Sequence, residues 1–252
     1  MKRFAVLFFA LLPALLMAQG GPQVYNLSFD EWTKSGGVWR PYSKDAPASK
    51  RIWDSPNSGM SKLGINATMP EYEHVAVPGE GKAAAKVESR KVAIAFVAGS
   101  LYTGRYLGLS GLSGARTELG TPFKSRPRSL SGWYHYIPKS INYTKDATAG
   151  LKGKQDKGLI EVLLMDWDEK HVQDTAADGP LDGATDPHVV GRAVLYIDKA
   201  TDGYVHFEVP FKYRSGKTPK FVTVTVTPSR YGSDLTGGNG SVIYVDEFQF
   251  NY

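Results

Sequence analysis

The chain has 252 residues, no cysteine and a formal net charge of +5 at pH 7. Without cysteine no disulfide can form, so the packing of the core alone must hold the fold. The basic residues are scattered, without a run that alternates with aromatic residues, and we therefore expect no nucleic-acid partner.

The first segment of the chain is predicted to be a signal peptide over residues 1–20. Lys2 and Arg3 precede an apolar run, and small and polar residues follow that run. Cleavage after Ala18 and cleavage after Gly20 both fit this pattern, and either removes two positive charges and leaves about +3. We expect export to the periplasm, to the cell surface or into the medium. No apolar run reaches the ~20 residues that span a bilayer, so we expect no membrane-spanning segment.

Nine later stretches are rich in valine, isoleucine, threonine and aromatic residues, which predicts β-strands. The predicted strands are residues 24–29, 84–90, 92–97, 130–138, 159–167, 189–198, 204–213, 221–227 and 242–251. Val222, Val224 and Val226 alternate with threonines, which indicates a strand with one buried face. No helical period is sustained beyond the signal peptide. The sequence therefore predicts one all-β domain over residues 21–252, an antiparallel two-sheet β-sandwich of the jelly-roll type.

Four long loops are predicted between these strands, at residues 42–70, 99–126, 141–157 and 168–187. Loops of this length in a compact domain are usually functional or mobile. A glycine-rich run at residues 232–241 lacks the Lys-Ser/Thr ending of a phosphate-binding loop and precedes a strand. We interpret that run as a hairpin connection.

Four segments carry a resemblance to a known family. They are Asn-Leu-Ser-Phe-Asp-Glu-Trp at 26–32, Leu-Gly-Thr-Pro-Phe-Lys-Ser-Arg-Pro at 119–127, Leu-Ser-Gly-Trp-Tyr-His-Tyr at 130–136 and Thr-Gly-Gly-Asn-Gly-Ser-Val-Ile-Tyr-Val-Asp-Glu-Phe at 236–248. In this order they resemble the putative carbohydrate metabolism domain, a family of exported bacterial β-sandwich proteins. The resemblance implies a galactose-binding-like jelly roll, similar to carbohydrate-binding modules. It also implies glycan binding or processing in the polysaccharide-utilisation system of a Gram-negative bacterium, and it carries no established catalytic residue.

Aromatic side chains and one arginine are the candidates for sugar contact: Trp39, Trp53, Trp133, Tyr136 and Arg126. The flat C–H faces of pyranose rings pack on aromatic rings, and the hydroxyls need polar partners such as a guanidinium group. Trp53, Trp133 and Arg126 are expected to share one concave region. The alternative for each ring is packing in the core, and for Arg126 a structural contact to a loop carbonyl.

Seven carboxylates lie in or after the strand predicted at 159–167, namely Asp166, Asp168, Glu169, Asp174, Asp178, Asp182 and Asp186. Glycosidases need two carboxylates about 5–9.5 Å apart, but so many in one loop meet that condition too easily to identify a pair. We interpret this acidic stretch as a solvated loop. The five histidines lack a zinc-binding spacing, and no nucleophile elbow lies between a strand and a helix, so neither a zinc enzyme nor a serine hydrolase is indicated.

The resemblance further implies a structural calcium ion between Asp30 and Asp246, because carbohydrate-binding modules often hold calcium with acidic residues at these two places. This requires the first predicted strand to pair with the last. Asp246 is expected in an apolar row with Tyr244, Phe248 and Phe250, where a lone carboxylate needs a partner. The alternative is that Asp246 accepts backbone N–H groups without an ion.

Three functions remain open at this point. The first is an accessory protein that binds an oligosaccharide or polysaccharide, which the exposed aromatic candidates favour. The second is a glycoside hydrolase or lyase, which needs carboxylates with shifted pKa values in a cleft. The third is a structural surface component, which needs an unpaired sheet edge. Neither the glycan nor the oligomeric state can be read from the sequence.

Overall fold

A computed structural model describes residues 21–77, 81–92, 95–111 and 114–252, so the predicted signal peptide lies outside the described residues. The strands, in chain order, are β1 (Thr33–Ser35), β2 (Val38–Arg40), β3 (Trp53–Asp54), β4 (Thr68–Glu71), β5 (Ala84–Glu88), β6 (Arg90–Val92), β7 (Ala95–Val97), β8 (Leu101–Ser110), β9 (Gly114–Leu119), β10 (Thr121–Pro122), β11 (Ser129–Ile137), β12 (Gly158–Met165), β13 (His171–Asp174), β14 (Val189–Ile197), β15 (Val205–Pro210), β16 (Lys212–Tyr213), β17 (Phe221–Thr227) and β18 (Val242–Asn251). The helical elements are one short α-helix, α1 (Asn57–Met60), and 3₁₀ turns at Ala48–Lys50, Ser61–Leu63, Asp146–Leu151 and Gly232–Asp234.

The strands form two large antiparallel sheets. The nine-stranded sheet has the order β13-β9-β8-β17-β12-β14-β16, with β10 beside β17 and β3 beside β8. The five-stranded sheet has the order β15-β11-β18-β5-β4. Two small hairpins, β1-β2 and β6-β7, stand apart from these sheets. The predicted fold class, an all-β antiparallel sandwich of the jelly-roll type, is confirmed. In the part of the chain described here, no helix is both long and apolar enough to cross a membrane.

The core lies between the two large sheets. Val222, Val224 and Val226 on β17 are fully buried and belong to the same cluster as Leu130 on β11 and Ile243 on β18. Each such side chain contributes about 1.5–3 kcal/mol to folding relative to exposure. The predicted alternation of β17 is therefore confirmed, and it brings the two sheets together.

Three strands, β8, β9 and β10, lie in the segment for which the sequence predicted a loop, residues 99–126. β8 and β9 form a long hairpin, with Arg105 opposite Glu118, and this part of the loop prediction is wrong. β8 contains two glycines, which have a low strand preference, and for this reason the sequence did not predict the strand. Gly104 is required there: its φ is +155°, and a Cβ atom would lie 2.3 Å from the carbonyl oxygen of Glu118. β3, β4 and β13 likewise lie inside predicted loops.

The segment predicted as the first strand, residues 24–29, is a turn instead. Asn26 and Phe29 have φ values of +58° and +57°, which an extended strand excludes. The segment still lies against β18, because the N–H of Phe248 donates to the carbonyl oxygen of Leu27 at 2.9 Å. The expected pairing of a first and a last strand is therefore wrong as a ladder, although the two segments are in contact.

A β-bulge in β18 reverses which side chains face the core. Trp133 lies opposite Asp246, but Ser131 lies opposite Gln249, so β18 contains one extra residue. Glu247 lies within the bulge with φ of +49°. Phe248 therefore faces the core, whereas Asp246 lies on the outer face. The predicted apolar row through Asp246 is wrong because it assumed unbroken alternation.

The glycine-rich run at residues 232–241 connects the two sheets. It leads from β17 in the nine-stranded sheet to β18 in the five-stranded sheet, so the predicted hairpin is wrong. Within it, the N–H of Gly238 donates to the buried carboxylate of Asp156 at 2.7 Å. This crossover places β18 at the centre of the five-stranded sheet.

Candidate functional site

The outer face of the five-stranded sheet carries a group of ring side chains that we call the aromatic face. Its members are Trp133, His135, Tyr204, His206 and Tyr244. They point away from the core because the residues that alternate with them, such as Tyr136, Phe207 and Val245, are core residues. Three neighbouring strands, β15, β11 and β18, therefore present rings to solvent side by side.

The rings of the aromatic face form two groups of contacting rings. Trp133 packs edge-on against His206, with ring centres 5.1 Å apart and planes at 70°. His135 stacks on Tyr244 at 5.6 Å and 18°, and its other neighbour is Tyr204 at 6.0 Å. The imidazole of His135 is held in place by the hydroxyl of Thr201, 2.9 Å from Nδ1. The face is thus a fixed surface of rings.

Asp246 lies in the same row as Trp133 and His206, across three strands. Only 2% of its surface is exposed. Its carboxylate accepts the N–H groups of Ala76 at 2.8 Å and of Glu247 at 3.0 Å. Burial, above all, raises the pKa of Asp246 to about 7, and the charges of Glu247 and Asp30 act in the same direction.

The segment around residues 74–76 lies over the edge of the aromatic face. Tyr204 donates its hydroxyl to the carbonyl oxygen of His74 at 2.9 Å, and Asp246 holds the N–H of Ala76. Burial raises the pKa of Tyr204, and the nearby carboxylates of Asp246 and Glu71 raise it further, so the phenol stays protonated. Tyr204 and Asp246 together position this segment.

Two of the predicted sugar-contact residues lie in the core. Trp53 is 1% exposed, packs against Phe29 at 5.3 Å and donates its indole N–H to the carbonyl oxygen of Tyr25. Tyr136 is fully buried and donates its hydroxyl to the carbonyl oxygen of Pro228 at 2.8 Å. Neither ring has a free face for a pyranose, so the expectation of sugar contact is wrong for both.

The other predicted contact residues do not converge with Trp133. The guanidinium group of Arg126 stacks on Tyr213 at 3.9 Å and donates to the carbonyl oxygens of Ser215 and Lys217. Arg126 therefore makes the structural contact to loop carbonyls that was the alternative to sugar contact. Trp39 is half-buried on β2, and its backbone atoms bond to other side chains. The single concave region expected for Trp53, Trp133 and Arg126 does not form, because Trp53 is internal.

The predicted calcium ligands, Asp30 and Asp246, lie within electrostatic reach of each other. Asp30 already accepts the hydroxyl of Ser28 and the N–H groups of Lys82 and Ala83. Calcium takes six to eight oxygens, and two carboxylates supply at most four. Among the described residues, neither aspartate belongs to a group of three ligand side chains within 4.8 Å of one another. The acidic and histidine side chains of the described residues do not by themselves complete a calcium site here, and calcium stays a prediction.

Within the described ranges, such a group of three does occur beside the aromatic face, formed by Glu71, Glu73 and His74. Glu71 accepts the N–H of Glu73 at 2.8 Å and lies 3.8 Å from Nδ1 of His74. A turn makes such contacts without an ion, and two of the three residues are exposed. We assign no metal to this group.

Two carboxylates of the acidic stretch after β12, Asp166 and Asp168, are paired with basic side chains. Lys217 and His188 bond to Asp166, and Lys220 bonds to Asp168. A hydrogen bond from Lys217 is the main cause that lowers the pKa of Asp166, and Lys220 lowers that of Asp168 in the same way. Carboxyl groups of this kind do not hold a proton at neutral pH. Asp166 and Asp168 therefore supply no general acid. Part of the predicted solvated loop is instead strand β13, which pairs with β9.

A buried polar network around Asp156 was not predicted. Its carboxylate accepts the hydroxyls of Ser229 at 2.6 Å and Ser241 at 2.9 Å, besides the N–H groups of Gly238 and Lys157. Burial raises the pKa of Asp156, and these donors oppose that effect. Asp156 lies among polar residues in the sequence, in the segment Lys154-Gln155-Asp156-Lys157, which gives no signal of burial. The network could therefore not be predicted from the sequence.

The fold has relatives among solved structures. One, described as a putative glycoside hydrolase from Bacteroides thetaiotaomicron VPI-5482, has a TM-score of 0.66 at 20% identity, over 92% of this chain and 72% of the other. A second, described as a putative glycoside hydrolase from Bacteroides vulgatus ATCC 8482, has a TM-score of 0.64 at 18% identity, over 91% and 98%. At these identities the likeness shows a shared fold and no more. No curated protein matches the chain.

The resemblance found in the four sequence segments is confirmed by a match to a whole-domain family model. That model covers residues 28–251, which includes all of the two sheets and the aromatic face. The protein belongs to the putative carbohydrate metabolism domain family.

Proposed function

We propose that the protein is an exported glycan-binding protein and that an oligosaccharide binds on the aromatic face. The observation that carries this proposal is the set of rings presented side by side by β15, β11 and β18. Aromatic rings that face solvent match the apolar C–H faces of sugars. Membership of a carbohydrate-related family supports the same ligand class, and the predicted signal peptide supports export.

Trp133 is the central contact in this proposal. It is the largest ring of the face, it is half-buried, and it lies between His206 on one side and Asp246 on the other. The imidazole nitrogens of His206, which is exposed, supply hydrogen bonds to sugar hydroxyls. Asp246 does not reach the ligand, because its oxygens accept backbone N–H groups below the surface. It acts as a positioning residue for the segment at residues 74–76.

A binding screen tests the proposal. The mature protein is titrated with neutral oligosaccharides, and the best ligand is then titrated against Trp133→Ala. A stacked ring contributes about 1–2 kcal/mol, so we expect affinity to fall about tenfold. Tyr196→Ala is the matched control, since Tyr196 is an exposed aromatic residue on the nine-stranded sheet. Unchanged affinity in Trp133→Ala, with the fold intact, refutes the assignment of the site.

A hydrolase is the second candidate, and the pKa of Asp246 favours it. A carboxyl group with a pKa of about 7 can act as a general acid at neutral pH. Its 2% exposure argues for a positioning role instead. Incubation with the glycan that binds best, followed by measurement of reducing ends, separates the two. Product release that is lost in Asp246→Asn, while binding persists, establishes an enzyme.

A further inference from the structure

A cavity of about 220 Å³ lies away from the aromatic face, at the side of the nine-stranded sheet. Residues from β2, β3, β8 and the segment between β2 and β3 border it. Three of its bordering side chains are arginines: Arg40, Arg51 and Arg105. One carboxylate, Asp54, faces them. Positive charge therefore exceeds negative charge in this small space.

Most donors of these three arginines are without partners among the described residues. Arg40 donates to the hydroxyl of Ser58 at 3.2 Å, and its distance to Asp54 is 3.9 Å. Arg51 donates its Nε–H to the carbonyl oxygen of Ala46 at 2.8 Å. Arg105 makes a long contact of 3.4 Å to Glu118. Since a guanidinium group has five N–H donors, each arginine keeps several for a ligand.

Other arginines of this chain are engaged differently. Arg214 donates to three carbonyl oxygens of the loop at residues 183–186, and Arg126 donates to two carbonyl oxygens while stacking on a tyrosine. Arg192 bonds to Glu161 at 2.7 Å and to Tyr196 at 2.9 Å. These three hold the structure together. At the cavity, Arg40 and Arg105 each face one carboxylate, at 3.9 and 3.4 Å, and Arg51 faces none in the part of the chain that the structure describes. Several of their N–H groups therefore stay open to an anion.

Asp54 offsets only one of the three guanidinium charges. Its carboxylate lies 3.9 Å from Arg40 and also accepts the N–H groups of Ser55 and Tyr106, both at 2.8 Å. The ring of Tyr42 also borders the cavity, with the guanidinium group of Arg51 above it at 5.7 Å. An aromatic wall beside guanidinium donors suits a sugar ring that carries a negative group.

We propose that this arginine cavity binds an anionic sugar residue, a pyranose bearing a carboxylate or a sulfate. Guanidinium groups bind both anions through paired hydrogen bonds. Trp53, which borders the cavity although its ring belongs to the core, fixes the position of β3 beneath it. This site is separate from the aromatic face, so an anionic glycan binds here whether or not neutral glycans bind there.

The test uses two anionic probes and one neutral probe. Oligogalacturonate carries carboxylates, a sulfated galactan oligosaccharide of equal length carries sulfates, and a neutral galactan oligosaccharide carries neither. Each is titrated calorimetrically against the mature protein at 50 mM and 300 mM salt. We expect at least one anionic probe to bind more tightly than the neutral one, with affinity that falls at high salt. The probe that binds identifies the anion.

Variants locate the site. We expect the double variant Arg51→Gln with Arg105→Gln to bind the anionic probe about tenfold or more weakly, because each substitution removes charge-assisted hydrogen bonds. Arg128→Gln, which changes an exposed arginine at the start of the five-stranded sheet, is the control and should leave affinity unchanged. Trp133→Ala should lower the affinity for the neutral probe and leave the affinity for the anionic probes unchanged.

Three results overturn the proposal. The first is that neither anionic probe binds. The second is that Arg128→Gln and the double variant lose affinity for the anionic probe equally, and the third is that Trp133→Ala no longer binds the anionic probe. The last result would place all binding on the aromatic face. Loss of neutral binding alone, in any of these proteins, bears on the proposed function and leaves the cavity assignment standing. Melting curves of each variant confirm that the fold is intact.

Discussion

Replacing Asp246 by asparagine should change how the stability of the protein depends on pH. The carboxyl group of Asp246 is buried and is held by two backbone N–H groups, with Glu247 and Asp30 nearby. Its pKa is raised from 3.8 to about 7. The folded state thus binds a proton that the unfolded state has released, and stability falls as pH rises from about 4 to about 7. Asparagine cannot titrate, so the variant lacks this contribution.

The size of the effect follows from the two pKa values. A change from 3.8 to about 7 corresponds to about 4 kcal/mol as an upper bound, and local relaxation and water penetration, which lower such penalties in real proteins, reduce it to about 2 kcal/mol. Asparagine also loses one acceptor for the N–H of Ala76 or Glu247, which costs about 1–3 kcal/mol at every pH. We therefore expect the variant to be less stable than the wild type at pH 4.5 and to recover about 2 kcal/mol of that difference at pH 8.

Urea unfolding at pH 4.5, 6 and 8 measures this difference directly. Asp168→Asn is the control, because Asp168 is an exposed carboxylate paired with Lys220 at 2.7 Å, and its pKa is lowered. The contribution of a lowered pKa is complete above the pKa of the free carboxyl, so the difference in stability between that control and the wild type should stay constant from pH 4.5 to 8. A constant difference between wild type and Asp246→Asn across the three pH values would refute the assignment of the raised pKa.

Four further outcomes follow from the structure. Asp156→Ala removes the acceptor of two buried hydroxyls and two N–H groups and should lower the free energy of unfolding by about 3–5 kcal/mol, measured by urea denaturation. Gly104→Ala should lower the melting temperature, since its Cβ would collide with the backbone of β9. Tyr136→Phe removes one buried hydrogen bond and should cost about 1 kcal/mol in the same urea assay, without loss of glycan binding. Melting with and without a chelator tests calcium, and an unchanged transition temperature together with no metal in elemental analysis counts against it.

The central strands could be predicted from the sequence because burial dictates their composition. β12, β14 and β17 lie next to one another within the nine-stranded sheet, and their apolar, β-branched residues fill the core. Such runs have a strong strand preference and leave little alternative. The prediction of a sandwich depended on these strands, and it is confirmed for that reason.

The sequence did not predict β8 and β3, because these strands form only by pairing with neighbouring strands. β8 contains Gly104 and Gly108 within ten residues, and it is extended because β9 and β17 bond to it on either side. β3, with two residues, exists only by pairing with β8. Local sequence carries no signal for such pairing. The arginine cavity, which several of these segments border, could not have been predicted for the same reason.

The candidate site was predicted in part. Trp133 was singled out and lies on the outer face, whereas Trp53 was singled out and lies in the core. The neighbours of these two tryptophans in the sequence do not separate them; their difference comes from which side of each strand faces the other sheet. His206 and Tyr244 are distant in sequence from Trp133 and His135, and they join them only because β15, β11 and β18 are adjacent.

The bulge at Glu247 links the core to the aromatic face. Without the extra residue, strict alternation would keep Asp246 and Phe248 on one side of β18, so that either the carboxylate would enter the core or the phenyl ring would leave it. Burying an unpaired carboxylate and exposing a large phenyl ring are both unfavourable by several kcal/mol. The bulge avoids both, because it lets Phe248 pack on Phe29 at 5.2 Å while Asp246 turns outward beside Trp133. The left-handed backbone of Glu247 is therefore the local feature that lets one strand serve the core and the proposed binding face at once.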